Sequence, residues 1–150
     1  MSILRRGNKL RVGLVVSRFH QEITKRLVDG ALLALTEAGV TKRSITVLSV
    51  PGAFELPGAA QRLARSGKVD AIACLGAVIR GETDHFTYVS AAAQQGILQV
   101  TLDTGIPISF GVLTTDTVDQ ALERSGDGMS NKGYEAALNA LEMATLYADL

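Results

Sequence analysis

The sequence predicts an α/β fold in three layers, a four-stranded parallel sheet with helices packed on both faces. Three observations predict it. Short apolar runs suited to buried strands alternate four times with longer stretches whose apolar residues recur at helical spacing. Glycine or proline marks the junctions between the two patterns. No internal repeat, linker or low-complexity tract interrupts the alternation, so residues 1–150 read as one domain with right-handed crossovers.

The elements follow in order. Arg11 to Val16 is the first strand, and Ser17-Arg18-Phe19-His20 is its exit. Ile23, Leu27, Ala31, Leu35 and Ala38 lie on one face of a helix that Gly39 stops. Ile45 to Val50 is rich in β-branched residues and reads as the second strand, ended by Pro51-Gly52. Leu56-Pro57 opens a short helix, since proline is tolerated in a first turn, and Gly67 closes it. Val69 to Leu75 is the third strand. Gly76 opens its exit, Ala77 to Ile79 form a second short apolar piece, and Arg80 to Asp84 make a polar turn. His85 heads a long helix marked by Phe86, Val89, Ala93, Ile97 and Val100 that ends near Gly105. Pro107 precedes the fourth strand, Ile108 to Leu113. Thr114 to Thr117 then offer several caps for a helix through Val118, Ala121 and Leu122. A turn at Gly126-Asp127-Gly128 leads to the last helix, from about Lys132, with Leu138, Leu141 and Thr145 on one face.

Composition narrows the function. Fifteen Lys and Arg balance fifteen Asp and Glu, which argues against a nucleic-acid or membrane-surface protein. No apolar run is long enough to span a bilayer. Met1 to Leu10 is basic but has no apolar signal core, so nothing marks export and the expectation is a cytoplasmic protein. The one cysteine, Cys74, sits in an apolar run and reads as a buried, inert thiol, not as half of a disulfide or a metal ligand. Aromatic residues make up only 5% of the chain, so each one near a turn carries weight.

Ligands in open parallel sheets bind beyond the carboxyl ends of the strands. The exits gather the unusual residues. Phe19 either stacks on a planar ligand or seals the first helix onto the sheet. Gly52-Ala53-Phe54-Glu55 puts small residues where a backbone could approach a ligand, with Glu55 able to accept bonds from hydroxyls. The plainer reading there is a tight turn with a carboxylate favouring the next helix start. The turn before His85 combines free N–H groups with Arg80, Thr83 and an imidazole suited to proton transfer; it fits anion binding or an ordinary capped βα turn. Lys132 stands at a helix start, where a cation is disfavoured, and is a functional candidate for that reason. Arg124 near a helix end fits without further reason, but with Lys132 in one cleft it could hold a phosphate.

Together these residues resemble the lumazine synthase family. The matching pieces are R-F at Arg18-Phe19, V-P-G-A-F-E-L-P from Val50 to Pro57 and G-A-V-I-R-G-E-T-D-H-F from Gly76 to Phe86. F-G-V-L-T-T from Phe110, A-L-E-R-S-G from Ala121 and N-K-G-Y-E-A-A from Asn131 extend the match over nearly the whole chain. The resemblance implies a flavodoxin-like fold and an enzyme that condenses 5-amino-6-ribitylaminouracil with 3,4-dihydroxy-2-butanone 4-phosphate. The product would be 6,7-dimethyl-8-ribityllumazine, made without a metal or organic cofactor. It implies that Phe19 stacks on the pyrimidine, that Ala53, Phe54 and Glu55 hold the ring and ribityl chain, and that Val78 and Ile79 contact the ring. Glu82 and Thr83 would form the phosphate turn, and His85 would move protons. Phe110, Arg124 and Lys132 would come from a neighbouring subunit of a homopentamer, with Arg124 on the phosphate.

Three places depart from the family's usual pattern. Glu82 stands where a small residue is frequent, His20 where Asn or an aromatic is usual, and Asp127 to Ser130 replace the turn common in shell-forming members. Two other classes compete with the enzyme. A non-catalytic flavin-binding or shell-forming relative would be free to lose Thr83, His85 and Arg124, yet all three are present. A flavodoxin-like electron carrier calls for a hydroxyl-rich phosphate loop after the first strand, which residues 17–20 do not supply.

Overall fold

The structure, a computed structural model, describes residues 9–150. The reading of the amino-terminal stretch as lacking an export signal therefore falls, for residues 1–8, outside the described residues. Among the described residues the strands are β1 (Val12–Ser17), β2 (Ile45–Val50), β3 (Ala71–Ile79) and β4 (Ile108–Thr115). The α-helices are α1 (Gln21–Glu37), α2 (Leu56–Arg65), α3 (His85–Thr104), α4 (Val118–Glu123) and α5 (Lys132–Ala148). The sheet order is β2-β1-β3-β4 and every pairing is parallel. The helices thus cross over between strands, and all four strand exits fall on one edge.

Alternate strand residues feed two apolar layers. Leu14, Val16, Leu75 and Ala77 pack with Leu27 and Leu35 of α1 and Leu141 of α5. Val15, Ile72 and Cys74 pack on the other face with Leu63 of α2 and Ile97 of α3. Burying both faces requires apolar residues at successive positions, and β1 is buried over its whole length. At the edge, β2 is only partly buried and keeps Thr46 and Ser49. The helix stops at Gly39 and Gly105 both have positive φ, 89° and 72°.

Two strands run further than the sequence pattern indicates. β3 passes through Gly76 to Ile79, and β4 extends beside it to Thr115, pairing Ile79 with Thr115. The glycine is there for close approach and not for a turn. A Cβ on Gly76 would lie 2.7 Å from Ser17 Oγ at the end of the neighbouring strand.

The first and last long helices touch backbone to backbone. A Cβ on Gly133 would collide with the Leu27 carbonyl. The buried Asn131 side chain organises the same contact. Its Oδ1 accepts from the Gly133 and Tyr134 N–H groups at 2.8 and 3.1 Å, capping α5. Its Nδ2 donates to the Gly126 and Arg26 carbonyls at 2.8 and 3.1 Å. At the opposite edge of the sheet Asp70 accepts from the Arg11 backbone N–H at 2.8 Å and from the Arg11 guanidinium at 3.1 and 3.2 Å. Burial alone would raise the Asp70 carboxyl; the bonds from Arg11 together outweigh it and hold the group below its ordinary value. Among the described residues no helix is long and apolar enough to cross a membrane.

Candidate active site

The strand order reverses between β1 and β3, and open sheets of this order hold ligands at that point. The chain builds the place from three exits. After β1, Arg18 N–H donates to the Val50 carbonyl at 2.8 Å and Phe19 N–H to the Pro51 carbonyl at 3.2 Å, so the first exit is stitched to the second. Phe19 is 66% exposed. It does not seal α1 onto the sheet; its ring stands at the lip of a cleft. Next to it His20 takes a left-handed conformation, φ 61°, and its carbonyl accepts from the Ile23 and Thr24 N–H groups to start α1. The His20 and Phe19 rings meet edge to face, 4.5 Å between centres.

After β2 a 3-10 turn, Ala53–Glu55, leads into α2. Ala53 is buried and anchors it, while Phe54 and Glu55 are exposed. After β3 the turn from Arg80 reaches His85, the first residue of α3, whose N–H meets Thr83 Oγ1 at 3.4 Å. Asp84, in the capping position, makes no side-chain cap.

These exits enclose a cleft of about 550 Å³ lined by Phe19, residues 51–55, Ala77, His85, Tyr88 and Val89. An adjoining cavity of about 180 Å³ is walled by His20, Val78, Ile79, Gly81, Thr83 and Phe86, and it shares Phe19, Ala77 and His85 with the cleft. The larger part offers three aromatic rings, Phe19, Phe54 and Tyr88, and the Glu55 carboxylate, and suits a planar polar molecule bearing hydroxyls. The smaller offers a turn with a hydroxyl and backbone N–H groups, and suits an anion. His85 stands where the two meet. Glu82 is exposed on the turn that walls the smaller cavity, between Gly81 and Thr83.

Phe110, Arg124 and Lys132 are brought together elsewhere, around a separate cavity of about 400 Å³. The Lys132 N–H donates to the Arg124 carbonyl at 2.8 Å, which joins the two cationic residues through the backbone. Arg124 donates to the Gln120 carbonyl at 3.0 Å and lies 3.7 Å from Glu123, while Lys132 lies 3.5 Å from Glu135. All of these side chains are at least partly exposed, so the local pairs leave both cations accessible. Within one chain these three residues do not reach the cleft walls.

Tyr88 and Ala77 line the cleft without having been singled out in the sequence. Tyr88 carried a signal: it is a rare aromatic one turn after His85, off the buried face of α3, and it is 71% exposed. Ala77 carried none, because small apolar residues in a strand are ordinary. Two buried hydroxyls, Ser17 Oγ and Ser90 Oγ, lack a hydrogen-bond partner among the described residues. Among the same residues no group of three or more His, Cys, Asp and Glu side chains is arranged to hold a metal ion.

Comparison with known proteins adds two findings. The family described as 6,7-dimethyl-8-ribityllumazine synthase matches residues 9–148. A protein of Syntrophus aciditrophicus (strain SB) named 6,7-dimethyl-8-ribityllumazine synthase is 56% identical over 137 residues, covering 91% of this chain and 89% of its own length. The order of the strands, the position of the cleft and a match over nearly the full length agree, and the chain belongs to the 6,7-dimethyl-8-ribityllumazine synthase family.

Proposed function

We propose that the chain is a transferase of riboflavin biosynthesis that condenses 5-amino-6-ribitylaminouracil with 3,4-dihydroxy-2-butanone 4-phosphate. It releases 6,7-dimethyl-8-ribityllumazine, phosphate and water. The observation that carries the reading is the bipartite cleft, in which an aromatic-lined compartment and a hydroxyl-bearing turn share His85. Phe19 stacks on the pyrimidine, and residues 53–55 hold ring and ribityl chain, with Glu55 accepting from ribityl hydroxyls. Val78 and Ile79 contact the ring. Thr83 and the backbone of residues 81–83 bind the phosphate, with the Glu82 carboxylate turned to solvent. The amine adds to the ketone, one water leaves as the Schiff base forms, phosphate is eliminated, and ring closure onto the remaining carbonyl expels a second water. His85 carries protons between these steps.

In this reading the site is finished by a second copy of the chain. Phe110, Lys132 and Arg124 of one protomer cover the cleft of the next, and Arg124 pairs with the phosphate. Their grouping on a cavity of their own, with both cations accessible, supports that arrangement. The expected assembly is a homopentamer acting in the cytoplasm on two small molecules, without metal or organic cofactor. The test is to mix purified protein with both substrates and follow the lumazine absorbance while light scattering reports the assembly. Product at a rate proportional to protein is expected. Tight flavin or lumazine binding without turnover would instead mark a non-catalytic relative.

A further inference from the structure

The turn between β3 and α3 contains a guanidinium that is held away from the phosphate-sized cavity. The Arg80 N–H donates to the Thr115 carbonyl at 2.9 Å, and its Nε donates to Asp116 Oδ1 at 2.8 Å. Its guanidinium carbon lies 4.5 Å from the centre of the Phe86 ring. Asp116 is itself fixed, because its N–H donates to Gln120 Oε1 at 2.8 Å. Gln120 closes the capping box that starts α4, with Thr117 as the other member. Arg80 therefore connects the end of β4 and the start of α4 to Phe86, the residue that follows His85 and that walls the smaller cavity.

Apart from the packing of Phe86 and Val89 on the core, the side-chain anchors at this end of α3 are weak. Asp84 does not cap the helix, and the bond from His85 N–H to Thr83 is long at 3.4 Å. We propose that Arg80 is a positioning residue: by clamping Phe86 against Asp116 it sets the first turn of α3, and so aims the His85 imidazole, without touching substrate. The ion pair and the ring stack occupy Nε and one face of the guanidinium but not Nη1 and Nη2, so a direct phosphate role is the competing reading that the kinetics decide. The pair itself adds little to folding stability, since the Arg80 and Asp116 side chains are 52% and 65% exposed. Loss of the clamp should thus be felt in turnover and not in melting.

The inference rests on the reading of the cleft as the lumazine-forming site, and the experiment separates the two. Arg80→Ala, Arg80→Lys, Asp116→Asn and the Arg80→Ala/Asp116→Asn double variant are compared with the wild-type chain in the two-substrate assay. Hydrogen exchange of the amides of residues 83–88 is measured on the same samples. Arg80→Ala should lower kcat roughly ten- to a hundredfold, with KM for either substrate changed by no more than about twofold. The melting temperature should stay within about 2 °C. Arg80→Lys, which keeps the charge over the ring, should recover most of the rate. The double variant should be no slower than Arg80→Ala, and exchange in residues 83–88 should quicken whenever the clamp is cut. A rise in KM for the phosphorylated ketone at constant kcat would make Arg80 a phosphate ligand and overturn the proposal. So would unchanged kinetics, a double variant slower by the product of the two single effects, or unchanged exchange. If the wild-type chain makes no lumazine, the functional reading falls, and the exchange measurement alone then judges the clamp.

Discussion

His85 belongs to both compartments of the site, so its removal should affect chemistry more than binding. His85→Ala is expected to slow lumazine formation by about 10²- to 10⁴-fold, the range for loss of a general acid–base group, with pyrimidine affinity nearly intact. Steady-state rates and a pyrimidine titration decide it; an undiminished kcat would take His85 out of the mechanism. Cys74 is the opposite kind of residue. It is fully buried, and burial pushes its thiol up to about 12. At pH 8 almost no thiolate is present in the folded chain, so a disulfide reagent should release no colour until denaturant is added. Fast labelling of native protein would mean that β3 opens on the time of the assay. Both residues were legible in the sequence, because a histidine heading a helix and a cysteine inside an apolar run declare their settings locally. Phe19 was legible as a choice between two roles, and its exposure settles only where it stands. The commitments of Arg80 were not legible, because Asp116 is distant along the chain and only the sheet makes the two neighbours.

At the scale of elements, the closeness of α1 and α5 is the most exacting feature. Gly133→Ala would gain about 1 kcal/mol of intrinsic helix preference at most. The added methyl meets backbone, which cannot swing aside, and overpacking of that kind costs roughly 1–3 kcal/mol or more. A net loss of about 2 kcal/mol is expected in chemical unfolding; a stabilised variant would show that the helices separate freely. The Arg11–Asp70 pair gives a milder, pH-dependent effect. Asp70 is held below its ordinary value of 3.8, so the stabilisation is fully present above that pH and is lost as pH falls through the lowered value. Asp70→Asn should therefore lose about 0.5–1 kcal/mol at pH 7, and its difference from the wild-type chain should shrink in acid. Unfolding curves at pH 7 and pH 3 test the sign. The elements themselves were readable from periodicity and from stops such as Gly39 and Gly105. The far end of β3 was not, because Gly76 looks like a turn residue until Ser17 of the next strand is seen against it.

At the scale of the whole molecule, the separation of Phe110, Arg124 and Lys132 from the cleft leads to a complementation test. His85→Ala chains and Arg124→Ala chains should each be nearly inactive. Unfolded together and refolded as mixed assemblies, they should recover about a quarter of the wild-type rate, because in a random mixture some junctions pair an intact His85 with an intact Arg124. No recovery in demonstrably mixed assemblies would place both residues in the same protomer's site. The layered architecture was legible because it follows from alternation alone. The gap between the two groups of candidate residues was not legible in charge or spacing; the family resemblance alone implied it, by assigning Phe110, Arg124 and Lys132 to a neighbouring subunit.

The Asn131 amide reaches the Arg26 carbonyl across 105 positions of sequence. During synthesis α1 leaves the ribosome long before Asn131 is made, and the part of its surface that α5 covers stays open until residues 132–148 follow. Contacts of such long range slow folding. Nascent chains stalled before residue 131 should therefore remain open to protease and bound by chaperones.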